Sequence, residues 1–246
     1  MPLLEEMTWE MVEEYLKHDD RLILAIGSTE QHGRHLTFAT DAIVPYAIGR
    51  RVSEATGVIL APVLAYGMSL HHLEFPGVLS LKPQTLVQVL IDILESAEHH
   101  GFRRILLLNG HGGNNASVGV ALGDILNRLD DLEVKFRPWW AIPAVEKVTE
   151  ELFPGVNDSH AGPTEAAVIL ALRPEIARMD RALTSPDMAH MGSLRRSGFR
   201  VWYPHGVIGD DPKMGTAEAG QKILDAAVHA CVAEMEKWGR RPGRAE

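Results

Sequence analysis

Within the twelve residues from Glu30 to Asp41 the chain places two carboxylates and, between them, the imidazole of His32. Oxygen and nitrogen donors of this kind suit a zinc-, manganese- or iron-class ion. Glu30 and His32 stand two apart, so in extended chain both side chains leave the same face. His35 follows three residues after His32 and falls on the opposite face, so it is expected not to be a ligand. Asp41 sits at the start of a helix expected over residues 41–54, where it could equally serve as an N-cap beside ordinary surface groups. Two further stretches weigh against that plainer reading. One is Asn109-Gly110-His111-Gly112-Gly113-Asn114-Asn115, where three glycines let the backbone approach a ligand closely around one histidine. A phosphate loop capping the next helix competes here, although neither G-x-G-x-x-G nor G-x-x-x-x-G-K-[ST] is matched. The other runs from Asn157 to Glu165, with His160 and Glu165 on either side of a helix start marked by Pro163. Singly, Glu165 would answer a helix dipole and His160 would be a packed or solvated histidine; convergence of three such loops makes the case for a site.

Convergence requires elements that deliver the three loops to one place. Residues 22–26 and 105–108 are uninterrupted apolar runs of the kind that fill strands covered on both faces. Each ends directly before one of the loops, where open α/β sheets bind their ligands. A third apolar run, 58–64, contains Pro62, which marks an end or a bulge. Helices are expected over 8–17, 85–100, 115–129, 163–172 and 217–238, and a short strand over 132–136. Strands alternating with helices imply a mostly parallel sheet with helices on both faces. The long connection 66–81 is irregular and rich in Gly, His and Pro, and loops of this length are usually functional. Ser69 and His72 on it are candidates for substrate contact or for anchoring the loop itself. Trp139, Trp140 and Trp202 could wall a pocket, or belong to the core or a subunit interface.

Composition narrows the function classes. The 246 residues fit one large α/β domain, with no repeat or linker to divide it. A formal charge of −9 argues against a nucleic-acid partner, which needs a basic stripe, and leaves small molecules as ligands. Cys231 is the sole cysteine, which excludes an internal disulfide and a thiolate zinc cluster. No apolar run approaches the roughly 20 residues of a membrane span, and residues 1–14 lack a signal pattern, so the cytoplasm is the expected location.

Four segments together resemble the creatininase family of metal-dependent amidohydrolases: Gly27-Ser28-Thr29-Glu30-Gln31-His32-Gly33 through Thr40-Asp41, residues 67–80, Asn109 to Asn114, and His160-Ala161-Gly162 with Glu165. The resemblance covers nearly the whole chain. It implies a three-layer α/β/α fold, two divalent ions per chain (Zn²⁺ or Mn²⁺, with Fe²⁺ as another option) and often a homohexamer. It further implies that Glu30, Asp41 and His111 hold one ion and that His32 and Asp41 hold the other. Asp41 would bridge, and Glu165 is the candidate for the remaining ligand. The expected reaction is hydrolysis of a small amide, lactam or formamide C–N bond by metal-activated water, with His160 shuttling the proton to the leaving nitrogen. The chain departs from creatinine-hydrolysing members at Gly113, where they carry an acidic residue, at Thr37 in place of Pro, and at Ala166-Ala167 in place of a Thr-Ser pair. Other branches open or trim formamide-type, peptide-like or cyclitol substrates. A non-catalytic sugar- or phosphate-binding protein on the same sheet is the alternative, as is an oligomer that has lost activity; neither needs all five ligand-type residues.

Overall fold

The computed structural model describes residues 2–129, 131–185, 190 and 198–243. A short helix α1 (Trp9–Leu16) leads into β1 (Arg21–Ile26), α2 (Thr40–Thr56), β2 (Ile59–Leu60), α3 (Pro83–His99), β3 (Arg104–Asn109), α4 (Asn115–Leu126) and β4 (Glu133–Pro138). These strands form one parallel sheet in the order β2-β1-β3-β4. The remainder is α5 (Pro143–Leu152), β5 (Asp158–His160), α6 (Pro163–Leu172), α7 (Phe199–Trp202), β6 (Ile208–Gly209) and α8 (Ala217–Trp238). The pair β5–β6 is antiparallel and separate from the main sheet.

Alternation along the buried strands builds the three layers. Leu22, Leu24 and Ile26 of β1 with Ile105 and Leu107 of β3 pack against Leu86, Leu90 and Leu94 of α3 and Val118 and Ala121 of α4. Ile23, Leu106 and Leu108 point the other way, onto Val44, Ile48 and Val52 of α2, Val168 of α6 and Ile223 and Leu224 of α8. Both faces being covered explains why β1 and β3 read as continuous apolar runs. The fold is the expected three-layer α/β/α arrangement.

Two differences from the sequence reading concern elements near the site. The run at 58–64 yields only the two-residue β2, because Pro62 cannot donate to a ladder. Helix α5 was not anticipated, although Pro143 at its first turn and the apolar spacing of Val145, Val148 and Leu152 mark it. The chain leaves β1 toward β2 on one side and β3 on the other, so the switch point that opens a crevice lies between β1 and β3.

Candidate metal centre

Asp41 reaches that crevice through a proline and two glycines. Pro45 lies inside α2 and lacks the N–H that would bond the Asp41 carbonyl four residues back. The freed carbonyl presses against Gly27 and Gly110, which follow β1 and β3. A Cβ would stand 2.4 Å from Asp41 O at Gly27 and 1.9 Å from it at Gly110. Only glycine admits this approach, which holds the Asp41 carboxylate over the sheet edge.

Around it the three loops meet. His32 Nε2 is 2.9 Å from Asp41 Oδ1 and 3.7 Å from Glu165 Oε1. His111 Nδ1 is 3.2 Å from Asp41 Oδ2, and its Nε2 is 3.1 Å from Glu30 Oε2. Glu30–Asp41–His111 and His32–Asp41–Glu165 each bring three donor atoms within 4.8 Å of one another, and Asp41 is common to both. A third such group, Glu30–His32–His160, overlaps them. Glu30, His32, Asp41 and His111 are all buried. Glu30 Oε1 and Asp41 Oδ2 are buried yet accept no hydrogen bond, a costly state for carboxylate oxygens unless a cation faces them. The donor set therefore fits divalent ions. His35 is buried as well but lies outside all three groups among the described residues.

Loop geometry places the later ligands. Asp158 Oδ2 accepts from Thr164 N at 2.6 Å, capping the start of α6; burial pushes the Asp158 carboxyl up to about 6. Ala161, between His160 and Glu165, has φ +54°, a left-handed conformation rare outside glycine. Its N–H donates to Glu165 Oε2 at 2.6 Å, leaving Oε1 toward His32. On the other side, Asn114 donates to Gly27 O at 3.0 Å and accepts from Met68 N at 2.9 Å, joining three segments. The sequence reading passed over Asn114, although an asparagine closing a glycine-rich turn has the donor and acceptor for this task.

Of the two roles open to Ser69, substrate contact or anchoring of the 66–81 connection, its contacts bear on the second: its N–H donates to Ser80 Oγ at 2.7 Å. It is absent from the residues lining the cavity; instead its hydroxyl donates to Glu30 Oε2 at 2.5 Å and contacts the Ser28 hydroxyl. His72 does line the cavity, yet its Nε2 lies 3.4 Å from Glu30 Oε1, so it also addresses the ligand carboxylate. The cavity holds about 770 Å³, with Glu30, Asp41, His111 and Glu165 among its lining residues. Trp139, Trp140 and Trp202 line it too, as do the unanticipated His71 and Phe199. Trp139 is at the same time part of the core.

Charge is finely divided in the centre. Burial opposes the charged form of His32 and His111, but Asp41 and Glu165 around the first, and Glu30 and Asp41 around the second, outweigh it and raise both imidazoles well above their usual value. Burial likewise opposes ionisation of Glu30, yet the neighbouring histidines hold its carboxyl well below the usual range. Glu165 is lowered in the same manner by His32. His160 and His72 are instead lowered, chiefly by burial, so each stays neutral. Without a metal, protons on His32 and His111 offset part of the carboxylate charge; a cation must displace them. Zn²⁺ binding is therefore expected to release protons at neutral pH and to weaken as pH falls. Calorimetry in buffers of different protonation enthalpy checks this, and an enthalpy independent of buffer would refute it.

Gly113 explains one departure from the creatinine-hydrolysing pattern. A Cβ there would lie 2.3 Å from His111 Nε2 and 2.4 Å from Met68 O, so this backbone admits no acidic side chain. The Glu165 carboxylate faces His32 from α6 instead. Gly113→Ala should displace His111 and release at least one ion per chain, as elemental analysis of the folded variant would show; full metal content would contradict the steric argument.

A parallel sheet covered on both faces, with a buried carboxylate–imidazole cluster at its switch point, defines an α/β protein built to hold divalent metal. The family model for creatinine amidohydrolase (Creatininase) matches residues 5–235, and the chain belongs to this family. The mycofactocin precursor peptide peptidase of Mycobacterium ulcerans is 32% identical over 233 residues, covering 90% of this chain and 86% of the relative. The creatinine amidohydrolase of Pseudomonas putida is 31% identical over 250 residues, covering 91% and 92%. A solved structure described as creatininase Mn superposes with a TM-score of 0.81 at 27% identity, over 96% of this chain and 98% of that one.

Proposed function

We propose that this chain is an amidohydrolase working with two divalent ions per chain, Zn²⁺ or Mn²⁺, on the C–N bond of a small amide, lactam or formamide. The observation that carries the proposal is the sharing of Asp41 between two three-residue donor groups. Glu30, Asp41 and His111 would hold one ion, and His32, Asp41 and Glu165 the other. When bound, such ions acidify water and polarise a carbonyl. The chain's own contribution is to bury the donors, bring the substrate carbonyl down a walled cavity, and supply a base. Neutral His160, with Nδ1 3.6 Å from Glu30 Oε1, is positioned to take a proton and return it to the leaving nitrogen.

A second reading within the family, trimming of a peptide-like substrate, is favoured by the cavity, whose roughly 770 Å³ exceeds what one five-membered ring fills. The mycofactocin precursor peptide peptidase at 32% identity supports the same reading. A homohexamer in the cytoplasm is part of the proposal; exposed Leu70, Leu73 and Leu79 on the 66–81 connection support self-association, and no helix among the described residues is long and apolar enough to cross a membrane. The test is metal analysis followed by assay of the loaded protein against lactams, formamides and short peptides. Two ions per chain with turnover of one class is expected. Absence of metal after exposure to Zn²⁺ and Mn²⁺ would sink the proposal.

A further inference from the structure

We propose that Gln31 is a positioning residue of the centre: its side-chain amide fixes the proton of His72 on Nε2, so that His72 presents an N–H to the otherwise unpartnered oxygen of Glu30. The inference rests on the proposed role of Glu30 as a metal ligand. Gln31 itself holds no metal and lies between two residues that would.

The orientation of the Gln31 amide is set from both sides. Gly33 N–H donates to Gln31 Oε1 at 2.9 Å, which identifies that end as the oxygen. Gly206, with φ +72°, leaves the space behind it: a Cβ there would stand 1.8 Å from Gln31 Oε1. The amide nitrogen therefore faces inward, 2.9 Å from His72 Nδ1; His160 Nε2 is also 2.9 Å away but is nearer the Gln31 backbone oxygen, at 2.8 Å, to which it donates, leaving His160 Nδ1 free. An amide nitrogen only donates, so His72 Nδ1 accepts and the neutral ring carries its proton on Nε2. That nitrogen lies 3.4 Å from Glu30 Oε1, a buried carboxylate oxygen that accepts no hydrogen bond and has His160 Nδ1 3.6 Å away. The His72 ring cannot turn away, being held between His160 and Phe199 with ring centres 4.6 and 4.7 Å apart. Ser69 fixes Glu30 Oε2 at 2.5 Å, so Ser69 binds one carboxylate oxygen while His72 faces the other. Groups that orient a ligand in this way typically contribute about 10–100-fold to metal affinity.

The test uses the full chain loaded with Zn²⁺ and labelled with ¹⁵N at histidine. Long-range ¹H–¹⁵N correlation spectra report which nitrogen of His72 bears the proton, with His72→Phe providing the assignment. Wild-type protein should show the proton on Nε2; a proton on Nδ1 overturns the proposal without any substitution at Gln31. Gln31→Glu keeps the shape but turns the donor into an acceptor. It should move the His72 proton to Nδ1 and weaken Zn²⁺ retention about 10–100-fold in chelator competition. An unmoved proton or wild-type Zn²⁺ retention in this variant also overturns the inference. Failure of the wild-type protein to take up Zn²⁺ would count against the metal centre itself, and the His72 spectrum of the same protein would still decide the placement of its proton.

Discussion

Asp41→Ala is expected to take the metal content from about two ions per chain to near none, and catalysis with it. Its two oxygens face two different histidines, Oδ1 toward His32 at 2.9 Å and Oδ2 toward His111 at 3.2 Å. Both proposed donor groups contain it, so its removal leaves each with two residues and an uncompensated set of buried partners. The fold should survive, because the α2 contacts with the sheet run through Val44, Ile48 and Val52. His35→Ala provides the contrast. His35 is 1% exposed, so the variant should lose about 0.5–3 kcal/mol of stability, but its metal content should be unchanged. Elemental analysis with thermal unfolding of both variants separates the two cases. Equal metal loss would show that the assignment between His32 and Asp41 is wrong.

His160→Ala is expected to retain both ions and lower turnover by about 10²–10⁴-fold, the usual contribution of one positioned acid–base group. The prediction is demanding, because Glu30, His32 and His160 also lie within ligand distance of one another. What favours the acid–base role is the environment of the ring. Its Nε2 is already 2.8 Å from Gln31 O, burial keeps it neutral, and Nδ1 alone is turned toward the centre. Turnover, metal content and the pH profile of the variant decide the matter. Loss of an ion would make His160 a ligand, and unchanged turnover would reduce it to packing for the loop ahead of Glu165.

Much of this was legible in the chain itself because it is written in short-range pattern. The apolar runs that became β1 and β3, the helices α6 and α8, and the loops holding Glu30, His32, Asp41, His111, His160 and Glu165 all follow from periodicity, glycine placement and residue type. Family membership was legible for the same reason, since it rests on residue types at fixed local spacings. What only the tertiary structure decided is which atoms face one another. For Ser69 the sequence left substrate contact and loop anchoring open, and only the fold shows its hydroxyl bonding Glu30, 39 residues away. Gln31 meets His160 across 129 residues, and the strand β5 that carries His160 pairs with β6, fifty residues further on, by a register no local pattern encodes. Gly113 reads as turn chemistry until the position of His111 Nε2 shows that it excludes a side chain. Periodicity sets which face of an element is buried. Contacts between loops have no period, and arise only when the packed sheet brings their ends to one edge.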